Sequence, residues 1–143
     1  MIAANIMTTR VRTLTPGSTL SDAIRLAAEA PALIPVVGED NRVLGVIRPR
    51  ALLRDALPER NPPDANSSLF IKGLERLRTQ SIDKPIYGGY SSVLPHARLS
   101  DIAAIFANSV APECVLVVDD RERLLGIISP CDILKRLLEY LEK

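Results

Sequence analysis

The stretch of this chain with the clearest chemical potential is residues 126–132, which read GIISPCD. Ser129 and Asp132 flank Pro130, a residue well suited to the first position of a helix. An aspartate at a helix start can accept hydrogen bonds from two adjacent hydroxyl groups of a sugar, and Gly126 allows a ligand to approach the backbone closely. The same spacing also predicts a capping box, in which Ser129 is the N-cap residue and Asp132 reaches back to it. Both roles stay open, because a carboxylate has enough acceptor sites to serve both.

A related stretch earlier in the chain lacks this acceptor. Residues 45–51 read GVIRPRA, so Arg48 and Ala51 stand where the later stretch has its serine and its aspartate. Since alanine cannot accept a hydrogen bond from a hydroxyl group, we expect one competent site per chain, built on the later stretch. Arg48 and Arg50 could supply positive charge to a phosphate, or they could be solvated side chains at a helix start.

The remaining composition excludes several classes of function. Two cysteines, Cys114 and Cys131, and the single His96 do not have metal-site spacing, and no nucleophile–base pair or phosphate-binding loop is evident. We therefore expect no catalytic residues and no metal. We expect two buried or half-buried thiols, with a disulfide between them as the alternative. A net charge of +1 and 3% aromatic residues argue against nucleic-acid binding. The sequence shows no signal peptide and no apolar run that could span a membrane, so we expect a cytoplasmic protein.

The elements that must position these residues occur twice in the same order. Apolar runs on either side of a polar turn predict one hairpin over residues 34–47 and another over 115–128. A helix-periodic segment precedes each hairpin, a short extended segment precedes that helix (residues 10–14 in the first copy), and a helix opening with proline follows the hairpin. Each copy is too small to bury a good core alone, so we expect the two copies to pack on each other.

These patterns divide the 143 residues into parts of one module. The predicted parts are a first repeat (1–60), a linker with a bridging helix (61–81) and a second repeat (82–143).

The valine-rich strand, the polar turn, the Leu-Gly-Val/Ile-Ile strand and the Ser-x-x-Asp helix start together resemble the cystathionine-beta-synthase (CBS) domain. Two copies in the same order resemble the tandem pair called a Bateman module, with an entry segment at Ile6-Met7-Thr8. The resemblance implies an α/β (α+β) fold with two β-α-β-β-α units, packed sheet to sheet about a pseudo-twofold axis. It also implies a regulatory module, not an enzyme, that binds an adenosine-containing ligand in the cleft between the repeats.

The resemblance also implies roles for particular residues. Asp132 would hold the ribose diol with help from Ser129, and Arg48 could reach a phosphate. The walls around the base would come from two segments, which are Lys84-Pro85-Ile86-Tyr87 and Cys114-Val115. Tyr87 or Tyr90 could stack on the purine or pack against the core.

The stretch before the second strand carries no cation and includes Glu113, which would repel a phosphate. The absence of a cation favours AMP over ADP and ATP. It equally favours an adenosyl compound without a phosphate group, such as S-adenosylmethionine.

Two functions remain open at this point. The first is a ligand-sensing module that signals to an unidentified protein partner through a change of conformation or packing. The alternative is a structural homodimerisation module without a ligand. In either case we expect a homodimer, because the closing helix has more large aliphatic residues than one core-facing stripe needs, which are Ile133, Leu134, Leu137, Leu138 and Leu141.

Overall fold

The computed structural model describes residues 1–29, 32–56, 68–82, 88–108 and 112–143. The helices are Ala3–Ile6 (α1), Leu20–Glu29 (α2), Pro49–Ala56 (α3), Ser68–Glu75 (α4), Leu99–Ala107 (α5) and Pro130–Leu141 (α6), with 3₁₀ turns at Glu39–Asn41 and Arg76–Arg78. The strands are Ile34–Val37 (β1), Val43–Ile47 (β2), Ser91–Val93 (β3), Val115–Val118 (β4) and Leu124–Ile128 (β5). Both predicted hairpins and the helices around them are confirmed.

The strands form two small sheets. One contains β1 and β2, and the other has the order β3-β4-β5. In the second sheet β3 runs parallel to β4, and β4 pairs antiparallel with β5 so that Val115 lies opposite Ile128. All four residues of β1 and of β4 are buried, as expected for short apolar strands that are covered on both faces.

The prediction of a strand over residues 10–14 holds only at Leu14. This residue makes a parallel bridge to Val36, with its N–H donating to Pro35 O (3.0 Å) and its carbonyl accepting from Val37 N (2.8 Å). Leu14 is buried, whereas Arg10 and Arg12 are exposed, and Arg12 forms an ion pair with Glu29. The backbone pairing with β1 is therefore limited to Leu14, the residue of this segment whose side chain enters the core.

The described chain forms two compact units, each assembled from separate segments. Unit 1 contains residues 1–11, 39–43 and 89–143, and unit 2 contains residues 12–38 and 44–88. The core of unit 1 includes Ala3, Ile6, Ile102, Val117, Ile128 and Ile133. The core of unit 2 includes Leu14, Leu20, Ile34, Val36, Ile47, Leu52 and Leu77. Burial of each such aliphatic side chain contributes about 1.5–3 kcal/mol to stability.

Residues at the start of the predicted first repeat belong to the same compact unit as most of the predicted second repeat. Thr8 pairs with Ile127 in β5 of unit 1 through two hydrogen bonds, of 2.9 and 3.0 Å. At the equivalent position of unit 2, Gly88 pairs with Val46 in β2 through bonds of 3.2 and 2.7 Å. Each hairpin is thus extended by a residue from the start of the other predicted repeat. The compact units are assembled from segments of both predicted repeats and therefore do not test the repeat boundaries. The boundaries at 1–60 and 82–143 stay a prediction.

Candidate functional site

The candidate site is built on the start of α6. Ser129 has extended backbone angles (φ −103°, ψ 164°) and is the N-cap residue, followed by Pro130 at the first helical position. The Asp132 N–H donates to Ser129 Oγ (3.3 Å), and the Ser129 N–H donates back to Asp132 Oδ2 (2.8 Å). The capping box predicted from the spacing is therefore present, and it holds the aspartate side chain in a defined orientation.

The hydrogen bonds of the Asp132 carboxylate are concentrated on one of its oxygens. Oδ2 accepts from both the N–H and the hydroxyl of Ser129, at 2.8 and 3.0 Å. Within the described part of the chain no hydrogen bond ends on Oδ1, and the side chain is half-buried. Capping therefore leaves one carboxylate oxygen, and further lone pairs on the other, for a ligand.

Cys114 lies beside this carboxylate. Val115 is opposite Ile128 in the β4–β5 register, and the same register places the preceding Cys114 next to Ser129. Cys114 is buried, and burial raises the pKa of its thiol to about 11, with smaller contributions from the negative charges of Glu113 and Asp132. The structure thus brings Ser129, Asp132 and Cys114 together, while the side chain of Val115 is fully buried in β4.

The entry segment, not a ligand, makes the close approach to Gly126. A Cβ atom at this position would lie 2.7 Å from Met7 Sδ and 2.8 Å from Thr8 O. The expectation that Gly126 leaves room for a ligand is therefore wrong, because the chain itself occupies that space. Met7 and Thr8 are additional candidate wall residues that sequence reasoning missed, since only the pairing of Thr8 with Ile127 brings them to this strand.

The other predicted site residues have different surroundings. Lys84, Pro85, Ile86 and Tyr87 lie outside the described residues. Arg48 belongs to unit 2, where it precedes α3 and its guanidinium lies over Gly88, so that a Cβ there would be 2.5 Å from Arg48 Nη1.

Tyr90 belongs to unit 1, and its hydroxyl donates to Glu122 Oε2 (3.0 Å). Partial burial and this carboxylate both raise the pKa of Tyr90.

Neither a metal site nor a membrane-spanning helix occurs among the residues that the structure describes. Among the residues that the structure describes, no group of three or more histidine, cysteine, aspartate or glutamate side chains is placed to hold a metal ion. Over the same residues, no helix combines the length and the apolar character required to cross a bilayer.

Comparison with solved structures places the fold among CBS-pair proteins. A candidate acetoin utilization protein (AcuB) from Vibrio cholerae is 25% identical, with a TM-score of 0.72 over 99% of this chain and 93% of that one. A CBS domain-containing protein from Bacillus anthracis is 15% identical, with a TM-score of 0.76 over 97% and 94% of the two chains. CBSX2 in complex with AMP is 18% identical, with a TM-score of 0.72 over 98% of each chain; this protein has also been solved from Arabidopsis thaliana.

Comparison of sequences gives the family directly. No curated protein sequence matches this chain significantly. The model of the CBS domain matches it twice, at residues 3–57 and 83–139, which together span most of its length. The mixed helix-and-strand fold with two small sheets agrees with that assignment. This chain therefore belongs to the CBS domain family and carries two copies of the domain.

Proposed function

We propose that this protein is a regulatory module that binds an adenosine-containing ligand at the start of α6. The observation that carries the proposal is the Asp132 carboxylate, which Ser129 orients through Oδ2, while no hydrogen bond from the described residues ends on Oδ1. In a ribose complex, Oδ1 and the remaining lone pairs of Oδ2 would accept hydrogen bonds from the 2′- and 3′-hydroxyl groups. The AMP held by CBSX2, which has the same fold, supports this class of ligand.

The charges around the site favour a ligand with few phosphate groups. Glu113 is exposed next to Cys114, and both Glu113 and Asp132 act electrostatically on the Cys114 thiol. A second or third phosphate close to these carboxylates would be repelled. We therefore rank AMP above ADP and ATP and keep S-adenosylmethionine, which has no phosphate, as a candidate.

The proposed role is regulatory and not catalytic. Ligand binding would shift the equilibrium between two packings of the module, and an unidentified protein partner would respond to that shift. The size of the response is limited by the difference in ligand affinity between the two packings. A cytoplasmic location, with access to adenine nucleotides, is part of the proposal.

Homodimerisation is a second candidate function, which does not require a ligand. It is favoured by the exposed leucines of α6, among which Leu134 and Leu141 are 62% and 82% exposed. A soluble protein rarely leaves such a contiguous apolar face uncovered.

The ligand proposal is tested by thermal unfolding in the presence of AMP, ADP, ATP or S-adenosylmethionine. A compound present at 100 times its Kd should stabilise the wild type by about 2.7 kcal/mol. Asp132→Ala should fold and lose this stabilisation. Absence of a shift with all four compounds in the wild type would reject the ligand proposal and leave homodimerisation.

A matched control separates ligand binding from helix capping. Asp22 forms the same capping box at the start of α2, where the Thr19 N–H donates to Asp22 Oδ2 (3.0 Å) and the Asp22 N–H donates to Thr19 Oγ1 (3.1 Å). Asp22→Ala and Asp132→Ala should therefore cost similar stability without ligand, because each removes the carboxylate that accepts from the N–H of the N-cap residue. Only Asp132→Ala should abolish the ligand-dependent shift.

A further inference from the structure

The strand bridges relate the two units residue by residue beside the helix that follows each hairpin. Thr8 pairs with Ile127 in β5 of unit 1, and Gly88 pairs with Val46 in β2 of unit 2. Each bridge is made to the fourth residue of its strand, so Thr8 and Gly88 occupy equivalent positions. The residue added to each hairpin is therefore a fixed reference for comparing the surfaces beside α3 and α6.

The two helix starts differ in the residues that stand at the proposed ligand position. Arg48 and Ala51 of unit 2 correspond to Ser129 and Asp132 of unit 1, and a proline follows the arginine and the serine alike. Unit 1 thus combines a short residue before the helix with a threonine as the residue added to the hairpin. Unit 2 combines a long, cationic residue before the helix with Gly88 as the added residue. The longer of the two side chains has therefore changed sides between the units.

The arginine of unit 2 uses the room that the glycine leaves. A Cβ atom on Gly88 would lie 2.5 Å from Arg48 Nη1 and 3.8 Å from Arg48 Cζ. Atoms that are not bonded to each other do not approach so closely, so only a residue without a side chain permits this position of the guanidinium. Arg48 is half-buried, whereas Arg50, two residues further along, is exposed. The Arg48 side chain therefore packs over the backbone of Gly88 and covers the surface between that residue and the start of α3.

The covered surface corresponds to the one beside Ser129 in unit 1, where the ligand is proposed to bind. Ser129 is short, and its hydroxyl donates to Asp132 Oδ2 (3.0 Å), so this side chain leaves the surface to a ligand. In unit 2 the much longer Arg48 lies there instead. Ala51 in addition provides no acceptor for the hydroxyl groups of a ribose. Unit 2 thus has two separate obstacles to an adenosine ligand, a missing acceptor and a filled space.

We infer that Arg48 occupies, in unit 2, the space that an adenosine ligand is proposed to occupy in unit 1, so that each chain holds one such ligand and not two. Arg48 is then a specificity-determining residue that closes the second site, and not a residue that receives a phosphate there. This inference rests on the proposed function, because it takes the site at Asp132 as its reference.

The contact between Arg48 and Gly88 is tested without any ligand by a double-mutant cycle. Gly88→Thr introduces the residue type of unit 1 and should lower the urea midpoint, because the guanidinium must be displaced. In the Arg48→Ser background the same substitution should lower the midpoint much less. Gly89→Thr is the matched control, since no atom lies within 4 Å of a Cβ there, and its effect should be equal in both backgrounds. An equal effect of Gly88→Thr in both backgrounds would overturn the inference.

The number of sites is measured by isothermal titration calorimetry with AMP and, in parallel, with S-adenosylmethionine. The wild type should bind one ligand per chain. Ala51→Asp should still bind one, because the new carboxylate lies three residues from Arg48, which pairs with it and keeps the space filled. Arg48→Ser/Ala51→Asp should bind two. This double variant gives α3 the capping sequence of α6, so it should fold, and circular dichroism verifies this.

The other outcomes of the titration overturn the inference in different ways. Two ligands bound to Ala51→Asp alone would show that Arg48 assists binding and does not block it. A single ligand on the double variant would show that Arg48 is not what keeps the second site closed. Two ligands on the wild type would show that unit 2 binds as it stands.

A further substitution separates this inference from the proposed function. Asp132→Ala, added to Arg48→Ser/Ala51→Asp, should reduce the number of bound ligands from two to one, which assigns the remaining site to unit 2. A wild type that binds neither compound rejects the proposed function at Asp132. The double variant still tests the inference in that case, because the gain of a site is then counted from zero, and a double variant that also binds neither compound overturns it.

Discussion

At the scale of single residues, the candidate site contains two side chains whose roles depend on very local chemistry. Ser129 and Asp132 are three residues apart, and the resulting capping box was predictable from that spacing alone. The state of Cys114 was not predictable, because its burial and its proximity to Asp132 come from the pairing of β4 with β5. Cys131, by contrast, is exposed on α6, so the expectation that both thiols are buried or half-buried is wrong for this residue.

This difference predicts unequal reactivity of the two thiols. In the native protein at about pH 8, iodoacetamide should modify Cys131 and spare Cys114, because Cys114 is buried and its raised pKa keeps the thiol protonated. Peptide mass spectrometry after timed quenching measures both sites, and both should react in denaturant. Rapid modification of native Cys114 would contradict its placement in the core.

The same pKa predicts a loss of stability at alkaline pH. The folded-state pKa of Cys114, about 11, lies above the ordinary value of 9.0, so between these values the unfolded chain releases a proton that the folded chain retains. The free energy of unfolding should therefore fall as the pH rises from 9 towards 11. Chemical denaturation at several pH values measures the slope, and Cys114→Ala should reduce it.

At the scale of the elements, the hairpins and the helix starts were predictable, whereas the neighbours of each strand were not. Short apolar runs, polar turns and the prolines Pro49 and Pro130 are local signals, and they predicted β1–β2, β4–β5 and the two helices that follow. The pairing of Thr8 with Ile127 joins segments from opposite ends of the chain, and no local pattern encodes it. For this reason we expected a ligand to approach Gly126, whereas in the structure Met7 and Thr8 lie against this residue.

A pair of glycine substitutions tests this contact. Gly126→Ala should lower the free energy of unfolding by about 1–3 kcal/mol, since the added methyl group would overlap Met7 and the backbone of Thr8. Gly89→Ala is the matched control, because no atom lies within 4 Å of its added Cβ. Urea denaturation of the two variants measures the difference, and equal stability would show that the entry segment does not pack on β5.

At the scale of the whole molecule, the order of the sequence does not determine the composition of the units. Residues 1–11 contribute Ala3 and Ile6 to a core made mainly by residues 89–143. Residues from the start of the predicted first repeat thus belong to the same compact unit as most of the predicted second repeat.

Deletion of residues 1–8 should therefore destabilise the later part of the chain. Loss of the buried Ile6 side chain alone should cost at least about 2 kcal/mol, and the Thr8–Ile127 hydrogen bonds are lost with it. Deletion of the exposed Glu142–Lys143 end is the control and should change the unfolding midpoint little. Hydrogen exchange should show the increased opening in β5 and α6, and protection equal to that of the wild type there would contradict the assignment of residues 1–11 to unit 1.

The sequence by itself determined the duplicated pattern, the family, the capping box at Ser129 and the loss of the acidic acceptor at Ala51. Each of these features depends on residue identity or on contacts within a few positions along the chain. Only the tertiary structure decided that Met7 and Thr8 lie against β5, that no hydrogen bond from the described residues ends on Asp132 Oδ1, and that α6 exposes leucines. Those features arise where distant segments meet, and the free energy that selects one such meeting is distributed over the whole core.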